Sequence, residues 1–235
     1  MKIGILTFQR TTNFGSYLQA FALYKKIKDL GYDCEIIDYR CPAIEKREQL
    51  EKHMIDWSVK GIARAILLQP AVNRKARALS RFSENNIKVS REYIPDNINE
   101  AAEMYDKIIV GSDIVWGMDI TDNDWNYFLD FVKDNNKKFA FSSSFGSYHH
   151  SENDIRMGEL LRTFMQIAVR ENDAVDWVSE IAERRSVWVC DPTMLLTKEE
   201  WISAIVPVKP KYRKYVLVYF ESGGKCVSDA KKWQS

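Results

Sequence analysis

The feature that most constrains the fold of this chain is its opening stretch, Met1 to Tyr39, which reads strand, polar loop, helix, strand. Ile3, Ile5, Leu6 and Phe8 form a short apolar run of the kind a buried strand shows. The loop RTTNFGS follows; Asn13 and Gly15 suit turns, and Ser16 is the expected N-cap of the helix. Tyr17, Ala20, Tyr24, Ile27 and Leu30 recur at helical spacing, with Lys25, Lys26 and Lys28 mostly off that face. Gly31 stands where a helix C-terminus favours glycine, and Cys34 to Tyr39 reads as a second buried strand. Two apolar strands joined by a helix make a βαβ unit, and such strands lie parallel. The loop after the first strand then meets a helix N-terminus, a position suited to anionic or polyhydroxy ligands.

The strand–helix alternation lapses after Cys41-Pro42. Residues 44–92 read as a helical insert, rich in Arg and Lys, with Pro70 expected to separate a pair of helices. A solvated hairpin is the plainer reading of its charges, a surface for an anionic partner the other. Alternation resumes with strands over Lys107–Val110, Lys137–Ser142, Gln166–Val169 and Val187–Cys190. Helices are expected over Ile155–Thr163 and Asp173–Arg184, and Thr197 with Glu200 predicts a capping box. The fold class is therefore α/β, a Rossmann-like doubly wound parallel sheet. It is expected to fill an N-terminal domain over residues 1–206, followed by a linker at 207–214 (PVKPKYRK). Tyr215–Phe220 and Ser222-Gly223-Gly224 then read as the first elements of a second domain, 215–235, which stays incomplete. The unpaired edge of that strand is expected to favour self-association into a homo-oligomer.

Net charge is +1, which gives no bulk electrostatic case for nucleic acid or membrane binding. No apolar run approaches the ~20 residues of a membrane span, and a strand begins at once, so neither a transmembrane segment nor a signal peptide is expected. Cys34, Cys41, Cys190 and Cys226 form no CxxC pair; buried free thiols in a reducing compartment, hence a cytoplasmic protein, are expected.

Ligands of open α/β sheets bind beyond the carboxyl ends of the strands. The polar candidates there are Thr12, Asn13, Gly15 and Ser16; Gly111, Ser112, Asp113 and Trp116; Ser142 to Gly146; Arg170-Glu171; and Asp191. Each alone has a dull explanation, a tight turn or a surface ion pair. Five clusters at five strand ends together point to a site. Arg170 suits a phosphate or carboxylate, and the SSSFG loop offers further anion contacts. Asp122 and Asp124 could hold Mg²⁺ or Mn²⁺, but no third ligand is in view, so no metal is expected. Of His149-His150, at most one could act as a base, since adjacent side chains diverge. No GxGxxG, P-loop or GxSxG string occurs.

Taken together, MKIGILTF with TTNFGSYLQAFAL, YDKIIVGSDIVW, YFLDF, KKFAFSSSFG, AVRE and VWVCDPTMLLTKEEW resemble the polysaccharide pyruvyl transferase family in order and spacing. The resemblance implies a GT-B-like pair of Rossmann-like domains facing a cleft. It implies transfer of pyruvate from phosphoenolpyruvate onto two hydroxyls of a sugar as a ketal, in exopolysaccharide or cell-wall glycan synthesis. The donor is a substrate, and no cofactor is implied. The partner is a glycan or lipid-linked sugar acceptor. The binding residues it implies are Asn13, Phe14, Gly15, Ser16 and Tyr17 for the acceptor and Arg170 for the donor. Gly111, Ser112, Asp113, Trp116, Ser143, Ser144, Phe145, Gly146, Glu171 and Asp191 complete the set. The family's catalytic Arg and His lie in the C-terminal domain, so this chain is expected to carry half an active site and to be inactive alone. Two other readings share these features: a GT-B glycosyltransferase using a nucleotide-sugar, and a non-catalytic glycan- or protein-binding domain.

Overall fold

The computed structural model describes residues 1–53, 59–147 and 150–205, with the backbone alone described at 49–53 and 59–68. The chain divides into two units, Met1–Ala204 and Ile205–Ser235, and all that follows concerns the first. The expected linker at 207–214, the strand over Tyr215–Phe220, His149 and Cys226 lie outside the described residues.

The elements run β1 (Lys2–Leu6), α1 (Phe14–Asp29), β2 (Asp33–Tyr39), α2 (Pro42–His53), α3 (Val59–Asn86), β3 (Val89–Tyr93), α4 (Ala101–Met104), β4 (Lys107–Val110), α5 (Met118–Thr121), β5 (Lys138–Ser143), α6 (Asp154–Leu161), β6 (Gln166–Val169), α7 (Asp173–Ala182), β7 (Val187–Trp188) and α8 (Lys198–Ala204). The strands form one sheet in the order β3-β2-β1-β4-β5-β6-β7, every pair parallel. Order reverses between β1 and β4, so the crevice at their carboxyl ends is the topological switch point.

Alternation along the strands builds a core on each face. Ile3, Ile5, Cys34 and Ile36 face one side, where α1 supplies Phe21 and Leu23, and the residues just after α3 and just before α8 supply Ile87 and Leu196. Leu6, Ile37, Tyr39, Ile108 and Val110 face the other, with Tyr105, Trp116, Phe128, Phe145 and Phe164. Gly4 lies where β1 meets that second face; a Cβ there would come within 2.8 Å of Ile37 and 2.9 Å of the Tyr105 ring.

Several local expectations are corrected. Asn13, not Ser16, caps α1: its side chain accepts from the Gly15 amide at 2.8 Å, while Ser16 lies inside the helix. The helix buries Ser16, Gln19, Phe21, Ala22 and Leu23 besides Ala20 and Ile27, and Leu30 is exposed. Gly31 does close it, at φ +88°, with its amide on the Lys28 carbonyl. Pro70 does not separate a pair of helices; α3 runs through it. Proline lacks only one amide, and every described residue from Gln69 to Ala78 is exposed, so little packing depends on the missing bond. The 44–92 stretch is not wholly helical, because Val89–Tyr93 forms the edge strand β3. Cys190 is exposed, while Cys34 and Cys41 are buried.

Candidate functional site

The carboxyl ends of β1, β4, β5 and β6, with the loop after β7, converge on the N-terminus of α1. A pocket of about 620 Å³ opens there, lined by Asn13, Phe14, Gly15, Ser16, Leu18, Gln19, Asp113, Ile114, Arg170, Asp191, Thr193 and Trp201. Seven of these were expected from the sequence. Leu18, Gln19, Ile114, Thr193 and Trp201 were not, although a glutamine on the buried face of α1 was a readable signal.

The floor is a network of side-chain bonds. The Thr7 hydroxyl donates to the Ser112 carbonyl at 2.6 Å. The Gln19 amide donates to the Thr7 hydroxyl and to the carbonyls of Phe8 and Ser16, at 2.9–3.1 Å. These tie β1, α1 and the turn after β4 together. Gly111 leaves the room this needs, since a Cβ there would sit 3.1 Å from that of Thr7. Asp113 follows at φ +79°, a left-handed conformation that costs a non-glycine residue about 1 kcal/mol or more and that Asp tolerates better than most. In that conformation its carboxylate accepts from the Ser16 hydroxyl at 2.5 Å and from the Ile114 amide at 2.9 Å.

Arg170 is held from three sides. Its Nε donates to Glu171 Oε1 at 3.1 Å, and its Nη1 reaches Asp191 Oδ2 at 3.3 Å and the Ser112 hydroxyl at 3.4 Å. The other Asp191 oxygen accepts from the Thr193 amide and hydroxyl. Arg170, expected from the sequence to suit a phosphate or carboxylate, thus meets two carboxylates of the chain itself through Nε and Nη1. Two carboxylates, Asp113 and Asp191, stand in the pocket wall, and a third, Glu171, pairs with Arg170.

The SSSFG loop is also revised. Ser142, Ser143 and Ser144 are all fully buried. Ser142 takes φ +58° at a register shift between β5 and β6. Ser143 donates to the carbonyls of Val110 and Gly111, and Ser144 to Glu171 at 2.6 Å. These hydroxyls bind the rim to itself. Gly146 turns the chain away at φ +64°.

Trp116 and Phe145 are corrected from site to core, at 0% and 2% exposure. Trp116 stacks on Phe128, packs against Phe145 and Phe164, and donates its indole N–H to the Tyr127 carbonyl. It anchors the turn after β4 from beneath. Asp124 is likewise structural: it accepts from the Tyr39 hydroxyl at 2.6 Å and caps the turn at Trp125–Phe128. No group of three metal-ligating side chains occurs among the described residues. His150 is exposed and bonded to Asp154.

Tyr17 lies in a second cavity, of about 750 Å³, between the loop after β1 and α3, with Gln9, Arg10, Thr12, Arg40 and Glu48. Burial raises its phenol above the usual range, opposed by Arg10 and reinforced by Glu48. Below the cavity the buried Asp38 accepts from Gln9 and pairs with Arg10 and Arg40.

Fold and pocket define a Rossmann-like α/β protein with a crevice at the strand ends. The family model for polysaccharide pyruvyl transferase matches residues 13–224. The chain belongs to the polysaccharide pyruvyl transferase family. Comparison with curated proteins and with solved structures gives no match.

Proposed function

We propose that this chain takes part in moving pyruvate from phosphoenolpyruvate to two hydroxyls of a glycan, as a ketal, and that its strand-end pocket holds the sugar. Family membership supports the reaction class. The observation that carries the assignment of the pocket is its charge. Asp113 and Asp191 line it, and Arg170 is paired with Asp191 and Glu171. Phosphoenolpyruvate carries a carboxylate and a phosphate, and such a wall repels it. Sugar hydroxyls are donors, and each Asp113 oxygen, with one bond already accepted, keeps a lone pair for one more. The donor's anionic groups therefore look for cations elsewhere.

In the reaction the enol carbon takes a proton, and a hydroxyl oxygen attacks the resulting oxocarbenium-like carbon. A second hydroxyl then displaces phosphate. Of the two hydroxyl protons lost, one balances the new methyl group and the other leaves with phosphate. A carboxylate against the attacking hydroxyl raises its nucleophilicity and orients it, which is the role of Asp113 in this reading. Phosphoenolpyruvate as donor fits a cytoplasmic reaction and needs no cofactor. None of the described helices is long and apolar enough to cross a membrane.

The test is calorimetric. Glycan from the source organism, stripped of its ketals by mild acid, is titrated into the chain and into Asp113→Asn. Asparagine tolerates the left-handed conformation, so the turn persists. One charged hydrogen bond is worth about 1.5–3 kcal/mol, so glycan affinity is expected to fall about tenfold or more. Phosphoenolpyruvate binding to the chain with glycan affinity unmoved would reverse the assignment of the pocket.

A further inference from the structure

We infer that the larger cavity, between the loop after β1 and α3, is a second saccharide subsite, which receives the part of the glycan next to the sugar held at the strand ends. The inference rests on the reading of the strand-end pocket as the sugar site. The two cavities share one wall. Thr12 and Tyr17 line the larger cavity, while their chain neighbours Asn13 and Ser16 line the pocket. Successive residues of a helix point about 100° apart, at ~3.6 residues per turn, so Ser16 and Tyr17 open on different sides of the first turn of α1. The ridge is held in place, since the Thr12 amide donates to Glu48 of α2 at 2.6 Å. A polymer with one residue in the pocket meets the larger cavity across this ridge.

The charge of the cavity decides what class of ligand suits it. Arg10, Arg40 and Lys75 stand against Glu45, Glu48 and Glu84, with Asp38 buried beneath. Such a wall gives no net attraction to a multiply charged anion such as phosphoenolpyruvate. Its volume of about 750 Å³ lies within the ~300–1,000 Å³ of small-molecule sites.

Much of the polar wall is uncommitted. Among the described residues the Tyr17 hydroxyl makes no hydrogen bond and the Lys75 ammonium no ion pair, and Arg10 spends its Nε alone, on Asp38 at 3.3 Å. Burial keeps the Tyr17 phenol protonated, so it can both donate and accept. Val72, Ala76 and Leu79 of α3 add an apolar strip to the same cavity. Uncommitted polar groups beside an apolar strip suit a neutral sugar, which carries hydroxyls at its rim and C–H groups on its faces.

The experiment is a titration series. Oligosaccharides of increasing length, from a single sugar upward, are released from the ketal-stripped glycan by partial acid hydrolysis. Each is titrated into the 235-residue chain, into Asp113→Asn, and into a double variant, Tyr17→Phe with Lys75→Gln. Affinity for the parent is expected to rise about tenfold from the single sugar to the longer fragments, from two further hydrogen bonds at a factor of about three or more each. The double variant is expected to bind the single sugar like the parent and to lose that gain, whereas Asp113→Asn weakens binding at every length. Its melting temperature should match that of the parent, since neither polar group bonds to the rest of the fold. Parental affinity that does not grow with length, or a gain that survives in the double variant, overturns the subsite and leaves the pocket reading standing. Phosphoenolpyruvate binding that the double variant loses also overturns it, by giving the cavity to the donor. Failure of every fragment to bind the parent overturns the pocket reading, and the subsite with it.

Discussion

Alanine normally stabilises a helix relative to glycine by about 1 kcal/mol, so Gly158→Ala in α6 should raise stability if only local propensity mattered. The structure reverses the sign. A Cβ on Gly158 would stand 2.0 Å from the Ile181 carbonyl oxygen and 2.9 Å from its carbon. Real Cβ contacts essentially never fall below 3.0 Å, so α6 and α7 must move apart by at least the 1.0 Å difference. A backbone oxygen has no rotamer into which to retreat, and this one also accepts from Arg162 at 3.3 Å. That separation would open a contact that buries Met157, Leu161, Val178 and Ala182 completely. Overpacking of this kind costs about 1–3 kcal/mol, and a fixed backbone obstacle puts the cost at the upper end. After the propensity gain the expected net loss is about 2 kcal/mol, which at a urea slope of ~2 kcal/mol/M lowers the midpoint by about 1 M. Equilibrium urea unfolding followed by circular dichroism reads this directly. A midpoint equal to or above that of the parent would refute the close approach of the two helices.

Two further outcomes are expected. Glu35 would be pushed up by burial, but hydrogen bonds from Lys2, Tyr105 and Lys88 outweigh this and hold its carboxyl below the usual value of 4.5. Its stabilising contribution is thus full above about pH 4.5 and is lost as pH falls further, so Glu35→Gln should show a shallower acid loss of urea midpoint than the parent; parallel profiles would sink this. Alkylation at neutral pH followed by peptide mapping should label the exposed Cys190 before Cys34 and Cys41, because burial pushes those two up to about 12; early labelling of either buried thiol would contradict their placement.

What the sequence made legible was whatever depends on near neighbours. The βαβ opening was readable because two short apolar runs flank a helix that Gly31 closes. The capping box at the start of α8 was readable because it involves two residues three apart; Thr197 and Glu200 exchange bonds at 2.6 and 3.2 Å. β3 was not readable, because VSREY at the edge of a sheet buries only Tyr93 and so shows no apolar run. Trp116 was misread for a related reason. Its place after β4 was correct, but its burial is decided by Phe128, Phe145 and Phe164, which no local window contains.

The site shows the same divide in its chemistry. That polar residues would gather at the strand ends follows from the topology of a parallel sheet, and the pocket does collect Asn13, Asp113, Arg170 and Asp191. The sign of the pocket's charge does not follow. Read singly, Arg170 is a cation awaiting an anion, and the three serines are donors awaiting a phosphate. Only tertiary contact shows that Glu171 and Asp191 already neutralise the guanidinium, and that Ser143 and Ser144 spend their hydroxyls on the rim. Once those groups are accounted for, the Asp113 carboxylate keeps acceptor capacity beside the capped end of α1. On the proposed reading, an acceptor of hydrogen bonds in such a place favours a donor-rich ligand. Of the two substrates in ketal transfer, the one rich in hydroxyls is the sugar.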